Sequence, residues 1–572
     1  MMTKLCWCGI LAVCAMGTTL RAQGGAADER KIDPVAAEAE FKRLRDDYVT
    51  KFRPLFIESE TAWWEANTTG SDAAFGRRKA ARNKLVELHS DKAVFARLQA
   101  LKEIGAIKYP LLARELDVMY RTFLPGQSDP DLQKKIIAIE NEVEQTFNTH
   151  RSKVGQKELT ENDVRTVLSD SKDSKEAEAA WKGYMEVGGK IKDKLAMLAG
   201  LRNQMAKQLG FPNFFVMKLT LQELDPDELV RLFDELDTLT KEPFAELKKE
   251  IDTAMAARFG VSADQLRPWN FGDLFFQEAP NTGGADFDAV YKDKDLLAIT
   301  KDYYQSMGTP AEDILARSDL YEKPGKSPHA FSTNLNRADD IRVLCNIKAN
   351  AYWADTLVHE LGHAVYDKYI GKDVPFLLHE PSHSMTTEGF AMMMGAMTKN
   401  EDFLVKAVKL SPGEAANLAQ AARKSLRAEK LIFSRWAQVM MRFEKGMYEN
   451  PDQNLGELWW NLKKRYQLLN SPESADRPDY AAKIHIVTVP VYYHNYLMGD
   501  LFATQVHAYI ARSVLGVDDP AKTSFYGRKE AGDYFKEKIF GPGDLYSWNE
   551  LTRRATGEPL SPKAFAGQYV RQ

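Results

Sequence analysis

The chain has 572 residues, 44% of them hydrophobic and 28% charged, with a formal net charge of −4. That composition describes a globular protein with an extensive core and room for two or more lobes. No basic stripe dominates any region, which removes nucleic acid as an expected partner, and there is no internal repeat or low-complexity tract.

Residues 1–22, "MMTKLCWCGILAVCAMGTTLRA", differ in kind from the rest. Lys4 precedes an apolar run from Leu5 to about Met16, and small residues follow as far as Ala22. This reads as a secretory signal peptide, too short for a membrane span with a stop signal, so a secreted or periplasmic location is expected. Val13, where a small residue would precede a lipidated Cys14, argues against a lipid anchor. Cys6, Cys8 and Cys14 all fall in this segment and leave Cys345 alone in the remainder. No internal disulfide can then form, and stability is expected to come from core size. Residues 23–33 are small and polar and read as a mobile leader.

From Pro34 to about Gly260 the pattern is helical almost throughout. In "LVRLFDELDTLTKEPFAELKKEIDTAMAARFG" apolar residues recur at three- and four-residue spacing with charges between them. Helix stops are expected at Gly210-Phe211-Pro212 and at Gly260. Phe275 to Asp295, rich in Gly, Asn and Asp, reads as a long surface loop. "YEKPGKSPHAFSTNL" and "DIRVLCNIK" are the best strand candidates, short and bounded by turn residues. From Tyr352 onward the chain is helical again. The expectation is a mainly α protein with a small sheet just before residue 357.

The stretch "LVHELGHAVYD", 357–367, places His359 and His363 four residues apart, so that on a helix both imidazoles leave the same face. Glu360 sits beside them, within reach of a water that shares their ion. Two nitrogen ligands, a base and an open coordination position are what a zinc hydrolase needs. Gly362 would let another backbone approach closely. Glu388, in "MTTEGFAMMMGAM", is the best-placed third ligand, since it opens an apolar helix 25 residues after His363 and permits an antiparallel return. Glu380 and His383, in "LLHEPSHSM", compete from what reads as a loop.

With these segments in order, the sequence resembles the angiotensin-converting-enzyme family of zinc peptidyl-dipeptidases and, more distantly, thimet oligopeptidase. The resemblance rests on "LRNQMAKQLGFPNFF", "SPHAF", the HELGH segment, "KIHIVTVPVYYHNY" and the closing "TGEPLSPKAFAGQYV". It implies a two-lobed helical zinc metallopeptidase with a deep central cleft and a small β-sheet near the active site, formed by residues 34–572 as a single catalytic unit. His359, His363 and Glu388 are then the ligands of one zinc ion and Glu360 the base that activates water. His485 and Tyr496 become donors to the developing oxyanion. His329 and the backbone of Ala330 hold the main chain of a short peptide substrate. Lys483 and Tyr493 grip the substrate's C-terminal carboxylate.

The chain also departs from the family. Glu388 is one residue further from His363 than in the mammalian enzymes, nearer the oligopeptidase spacing, and Tyr496 is one residue further from His485. Met392 replaces an aspartate behind the metal, and Asn495 replaces an arginine that coordinates chloride. The glutamine that helps bind the terminal carboxylate should fall near "PWNFGDLFFQ", where no residue is a sure counterpart. The expected activity is release of C-terminal dipeptides. Internal cleavage by an oligopeptidase is the alternative, and a peptide-binding protein with a dead site is the third reading.

Overall fold

The computed structural model describes residues 33–570 apart from 281–284, 473 and 475. The expected signal peptide and all of the expected leader but Asp33 lie outside the described residues. The chain is mainly α, with two small antiparallel sheets of two strands each.

The first helix, α1 (Pro34–Thr69), begins where Asp33 accepts from the Val35 N–H and Pro34 takes a position needing no donor. It ends at Gly70, whose φ of 70° closes the last turn. Phe41, Tyr48 and Phe52 of α1 pack with Leu98, Leu112, Met119 and Leu377 in a cluster separate from the main core. Further along, Trp64 packs with Leu335 and Leu344, and Trp63 lies tilted against Phe331 at 4.2 Å between ring centroids. The first helix therefore covers strands β3 (Phe331–Asn334) and β4 (Ile341–Leu344), which pair with Phe331 opposite Leu344.

Two readings of the sequence change here. Within the stretch expected to be helical throughout, β1 (Ser152–Val154) and β2 (Lys157–Leu159) form a hairpin about Gly155, which has φ 62°. Strands of three residues are too short for periodicity to reveal, and only the glycine signals the turn. The segment from Phe275 to Asp295 is not a surface loop as a whole. Phe275, Phe276 and Tyr291 are buried, and Phe287–Tyr291 is a short helix. The aromatic side chains follow the core, while Gly, Asn and Asp had suggested solvent. Other expectations hold: Gly260, at φ 64°, caps the helix Pro226–Phe259, and the helix Ser174–Gln208 stops just before Gly210.

The large core is built around three helices: a motif helix (Ala351–Lys368), a return helix (Ser384–Ala396) and a late helix (His494–Tyr509). Asn350 caps the motif helix by accepting from the Trp353 N–H, and the Tyr304 hydroxyl donates to the Val358 carbonyl. Trp353, Leu357, Val358, Leu361, Val365 and Tyr366 are all buried, so this helix is enclosed by its neighbours on most sides. Contacts between residues 355 and 395, 362 and 391, and 366 and 386 show that motif and return helices run antiparallel. Cys345 is buried and free, so no disulfide ties the described residues together. No helix among the described residues is long and apolar enough to cross a membrane.

Gly362 and Gly389 set the spacing. A Cβ at Gly362 would stand 2.9 Å from the Ala391 Cα, and one at Gly389 would stand 2.6 Å from the Gly499 carbonyl oxygen. Both obstacles are backbone atoms, which cannot swing aside. Gly362→Ala is therefore expected to destabilise by about 1–2 kcal/mol even after the helix-propensity gain of alanine. Equal or greater resistance to chemical unfolding in the variant would contradict this reading.

Candidate metal centre and cleft

The antiparallel return brings Glu388 over the two histidines. The Nε2 atoms of His359 and His363 are 3.2 Å apart, and Glu388 lies 3.7 Å from the first and 3.5 Å from the second. Tetrahedral zinc holds nitrogen and carboxylate ligands at about 2.0–2.2 Å, which places ligand atoms roughly 3.3–3.5 Å from one another. The three side chains fit that requirement, and they are the only such group of three among the described residues. The Nδ1 of His363 bonds to the Thr387 hydroxyl at 2.7 Å, leaving Nε2 to face Glu388.

Neither competitor joins them. Glu380 pairs with Arg337 at 2.6 Å, and Arg337 in turn lies against the rings of Phe52, Phe56 and Phe376. The Nδ1 of His383 caps the return helix by accepting from the Met385 N–H at 3.0 Å. Both residues are spent on holding the segment that leads into that helix.

Burial shapes the ionisation of this group. It lowers His359 to about 4, aided by His363. For His363 burial works the same way, but the Glu388 carboxylate outweighs it and raises the group. Glu388 itself is held low by the two imidazoles against the effect of burial. Burial lifts Glu360 to about 7, opposed by His363 and by a hydrogen bond from the Ser332 N–H. A carboxyl group raised toward neutrality beside two imidazoles is suited to moving a proton.

Ser332 belongs to β3, whose one paired neighbour is β4. His329 is exposed and Ala330 half-buried, immediately before that strand. Ala330 lies two residues before Ser332, just outside the strand.

The remaining residues come from 483–496. Lys483 is buried, and its Nζ lies 5.1 Å from the Phe275 ring, 5.4 Å from Trp436 and 5.3 Å from Tyr493. It donates to Gln277 Oε1 at 2.8 Å, and the Tyr493 hydroxyl donates to the same oxygen at 3.2 Å. Gln277 is the last residue of "PWNFGDLFFQ", and only the fold identifies it. Its carbonyl oxygen is occupied by two donors, which leaves the amide NH2 to act as donor. His485 and Tyr496 each lie 5.3 Å from Tyr493 between ring centroids. Tyr496, Glu388 and Gln277 line one cavity of about 1020 Å³, with Met392, Phe433 and Asp500.

Residues 486–491 link these rings and are fastened by side chains. Arg202, 1% exposed, donates to the Ile486 and Val487 carbonyls and the Tyr448 hydroxyl, and pairs with Glu140. Glu444 accepts from the Val491 N–H at 2.7 Å, and Gln222 donates to the Val491 carbonyl at 2.9 Å. Val491 has φ 54°, a conformation that β-branched residues rarely adopt without such restraint. Asn495, where the family has its chloride-binding arginine, donates to Gln222 Oε1 at 2.7 Å. Arg202, Gln222, Glu444 and Thr387 were not singled out in the sequence. Thr387 carried a signal, since it precedes Glu388 directly, but the others are separated by long stretches of chain from what they hold.

Two histidines and a carboxylate converging beside a glutamate are the arrangement of a zinc hydrolase site. The angiotensin-converting enzyme family model matches residues 35–255, and that of peptidase family M3 matches residues 313–570. Among curated relatives, the angiotensin-converting enzyme-like protein Ace3 of Mus musculus is 22% identical over 71% of this chain and 58% of its own length. The angiotensin-converting enzyme of Theromyzon tessulatum is 20% identical over 93% of this chain and 91% of its own. An inactive angiotensin-converting enzyme-related protein of Caenorhabditis elegans is 23% identical over 57% and 40%. The chain thus spans little more than half of the first of these and nearly all of the second. The chain is thus similar to angiotensin-converting enzyme in its first part and to peptidase family M3 in its last, the resemblance that its motifs suggest.

Glu388→Ala is expected to weaken zinc binding by more than about 100-fold, beyond the usual effect of losing an outer hydrogen-bond partner. Glu380→Ala and His383→Ala should leave the metal content close to wild type. Metal analysis after dialysis against a graded chelator checks this, and zinc lost with Glu380→Ala but kept with Glu388→Ala would reverse the assignment.

Proposed function

We propose that the chain is an exported zinc peptidase that releases dipeptides from the C-termini of short peptides. Its catalytic unit is residues 34–572, in two helical lobes around the cleft. The observation that carries this reading is the convergence of Lys483 and Tyr493 on Gln277, which lines a cavity together with Glu388 and Tyr496. A buried ammonium, a phenol and an amide NH2 form a site for a carboxylate, at a fixed remove from the metal ligands. A substrate anchored there by its C-terminus presents one peptide bond to Glu360.

His359, His363 and Glu388 would hold zinc, which supplies Lewis acidity and lowers the pKa of water. Glu360 takes the proton of the attacking water on its carboxylate and passes it to the leaving amine. His485 and Tyr496 donate to the oxyanion that develops on the scissile carbonyl, each worth on the order of 100-fold in rate. The free edge at Ala330, with His329, pairs with the substrate main chain as an added strand would. The M3 match over 313–570 favours a second reading, internal cleavage of oligopeptides. An inactive binding protein is disfavoured because Glu360 is present and poised.

Digestion of a ten-residue peptide, followed by mass spectrometry, tests the main reading. Sequential dipeptides are expected from the free acid, and amidation of its C-terminus should lower kcat/KM by about tenfold or more, equivalent to about 1.5 kcal/mol. Glu360→Gln should lose most turnover while keeping its zinc. Internal cuts indifferent to amidation would move the protein to the oligopeptidase reading.

The carboxylate grip also has a pH signature. Burial, set against the pull of Asp273, brings the Lys483 ammonium down to about 8. The group is charged below that pH and neutral above it, so the attraction fades as pH rises through about 8. The preference in kcat/KM for a free acid over its amide is expected to shrink over that range, because kcat/KM reports the free enzyme. A preference constant from pH 7 to 10 would show that Lys483 does not carry the charge.

A further inference from the structure

The carboxylate grip stands on a second buried lysine that touches none of its atoms. Residues 274–277 have no regular structure, so their buried backbone groups need partners from elsewhere. All of those partners are side chains. Asp273 accepts from the Phe275 N–H at 3.1 Å and the Gln277 N–H at 2.9 Å, and Trp181 donates to the Leu274 carbonyl at 2.9 Å. The Lys463 ammonium donates to the Phe275 carbonyl at 2.8 Å and to Gln467 Oε1 at 2.7 Å. Gln467 Nε2 in turn donates to the Phe275 and Phe276 carbonyls at 3.3 and 2.5 Å. Between these anchors Phe276 has φ 54°, the left-handed conformation, held in place at a bulky residue.

Lys463 is 2% exposed and lies against Trp436, Trp459 and Trp460 at 5.1, 5.4 and 5.8 Å from the ring centroids. Trp436 is shared with Lys483, which lies 5.4 Å from the same indole. Phe275 is shared as well: Lys463 binds its carbonyl and Lys483 sits over its ring. The buried charge of Lys463 would be unfavourable without carbonyl partners and rings. Its position is therefore specified closely, and it specifies that of Phe275 in return.

We propose that Lys463 and Gln467 are positioning residues for terminal-carboxylate recognition, acting through Phe275–Gln277 to set where the Gln277 amide meets Lys483 and Tyr493. This rests on the dipeptide-releasing reading above. Without the two carbonyl anchors, Phe276 relaxes from its left-handed conformation and Gln277 leaves the donors of its own oxygen. The effect falls on anchoring the substrate rather than on the chemistry at Glu360.

Lys463→Met, close in volume, and Gln467→Leu test the proposal in the zinc-loaded protein with a free-acid peptide and its amide. Each variant is expected to reduce the acid-over-amide preference in kcat/KM by about tenfold, through a higher KM for the acid, and Lys463→Arg should restore part of it. Calorimetry of zinc-free protein with alanyl-phenylalanine and its amide should show the same loss of preference, and gives a readout even where a variant turns over poorly. Should Lys463→Met fail to fold, Gln467→Leu carries the test alone. Equal losses on acid and amide would make the pair merely structural and overturn the proposal. A preference that survives in a folded variant would also overturn it. Wild-type protein with no preference at all would instead remove the dipeptide reading on which it rests.

Discussion

The close approach of the motif and return helices is the constraint on which the site depends. Helices in globular proteins usually pack with axes 8–10 Å apart, at a distance set by the side chains between them. Here Gly362 faces Ala391 with no room for even a methyl group. That contact lies between His359 and His363 on one helix and Glu388 on the other. It is why three side chains from separate turns come within 3.2–3.7 Å of each other. Metal sites tolerate errors of only about 0.2 Å in ligand distance. A larger residue at Gly362 would move Glu388 by more than that, however well the rest of the core packed.

The same device recurs one layer further out, at Gly389 against the Gly499 carbonyl. It fixes the late helix, and with it Tyr496, relative to Glu388. Beyond the helices the construction changes. Residues 274–277 are irregular, residues 486–491 run from a single helical turn into a partly exposed bend, and both segments are held by Lys463, Gln467, Arg202 and Glu444 from distant parts of the chain. Removing one member of such a set strands a buried polar group, at a cost of about 1–3 kcal/mol or more for a charge. Hydrophobic contact alone would leave these segments free to slide. Directed bonds to particular carbonyls do not.

This division explains what could be read from the sequence. The histidines were legible because a four-residue spacing on a helix has one geometric meaning, and Glu388 nearly so, because an apolar helix following at that distance must turn back. Strands β3 and β4 were legible from their turn residues and β-branched content. Gln277 was not, since its role depends on Lys483 and Tyr493 over 200 residues later and on backbone anchors that no periodicity records. The β1–β2 hairpin was too short to register. Phe275 and Phe276 were misplaced because neighbouring Gly, Asn and Asp outweighed two aromatic residues whose burial is decided by the tertiary fold.

On the proposed function, the chemistry and the specificity of the cleft have different physical origins. Bond cleavage needs residues that one local motif and one helical return can supply, and such a motif survives wide divergence elsewhere in a chain. Selecting where to cut needs a carboxylate site at a set distance from those residues, and that distance is a sum over the whole core. Asn495 illustrates the point. In place of a family arginine that binds chloride, it forms a neutral bond to Gln222, which also ties down Val491. The bond at Asn495 is thus one between amides rather than between a cation and its counter-ion. A neutral bond of that kind is screened little by salt, whereas a charge-dependent one would be. At that position the donors are kept aligned by packing and a directed hydrogen bond between neutral groups.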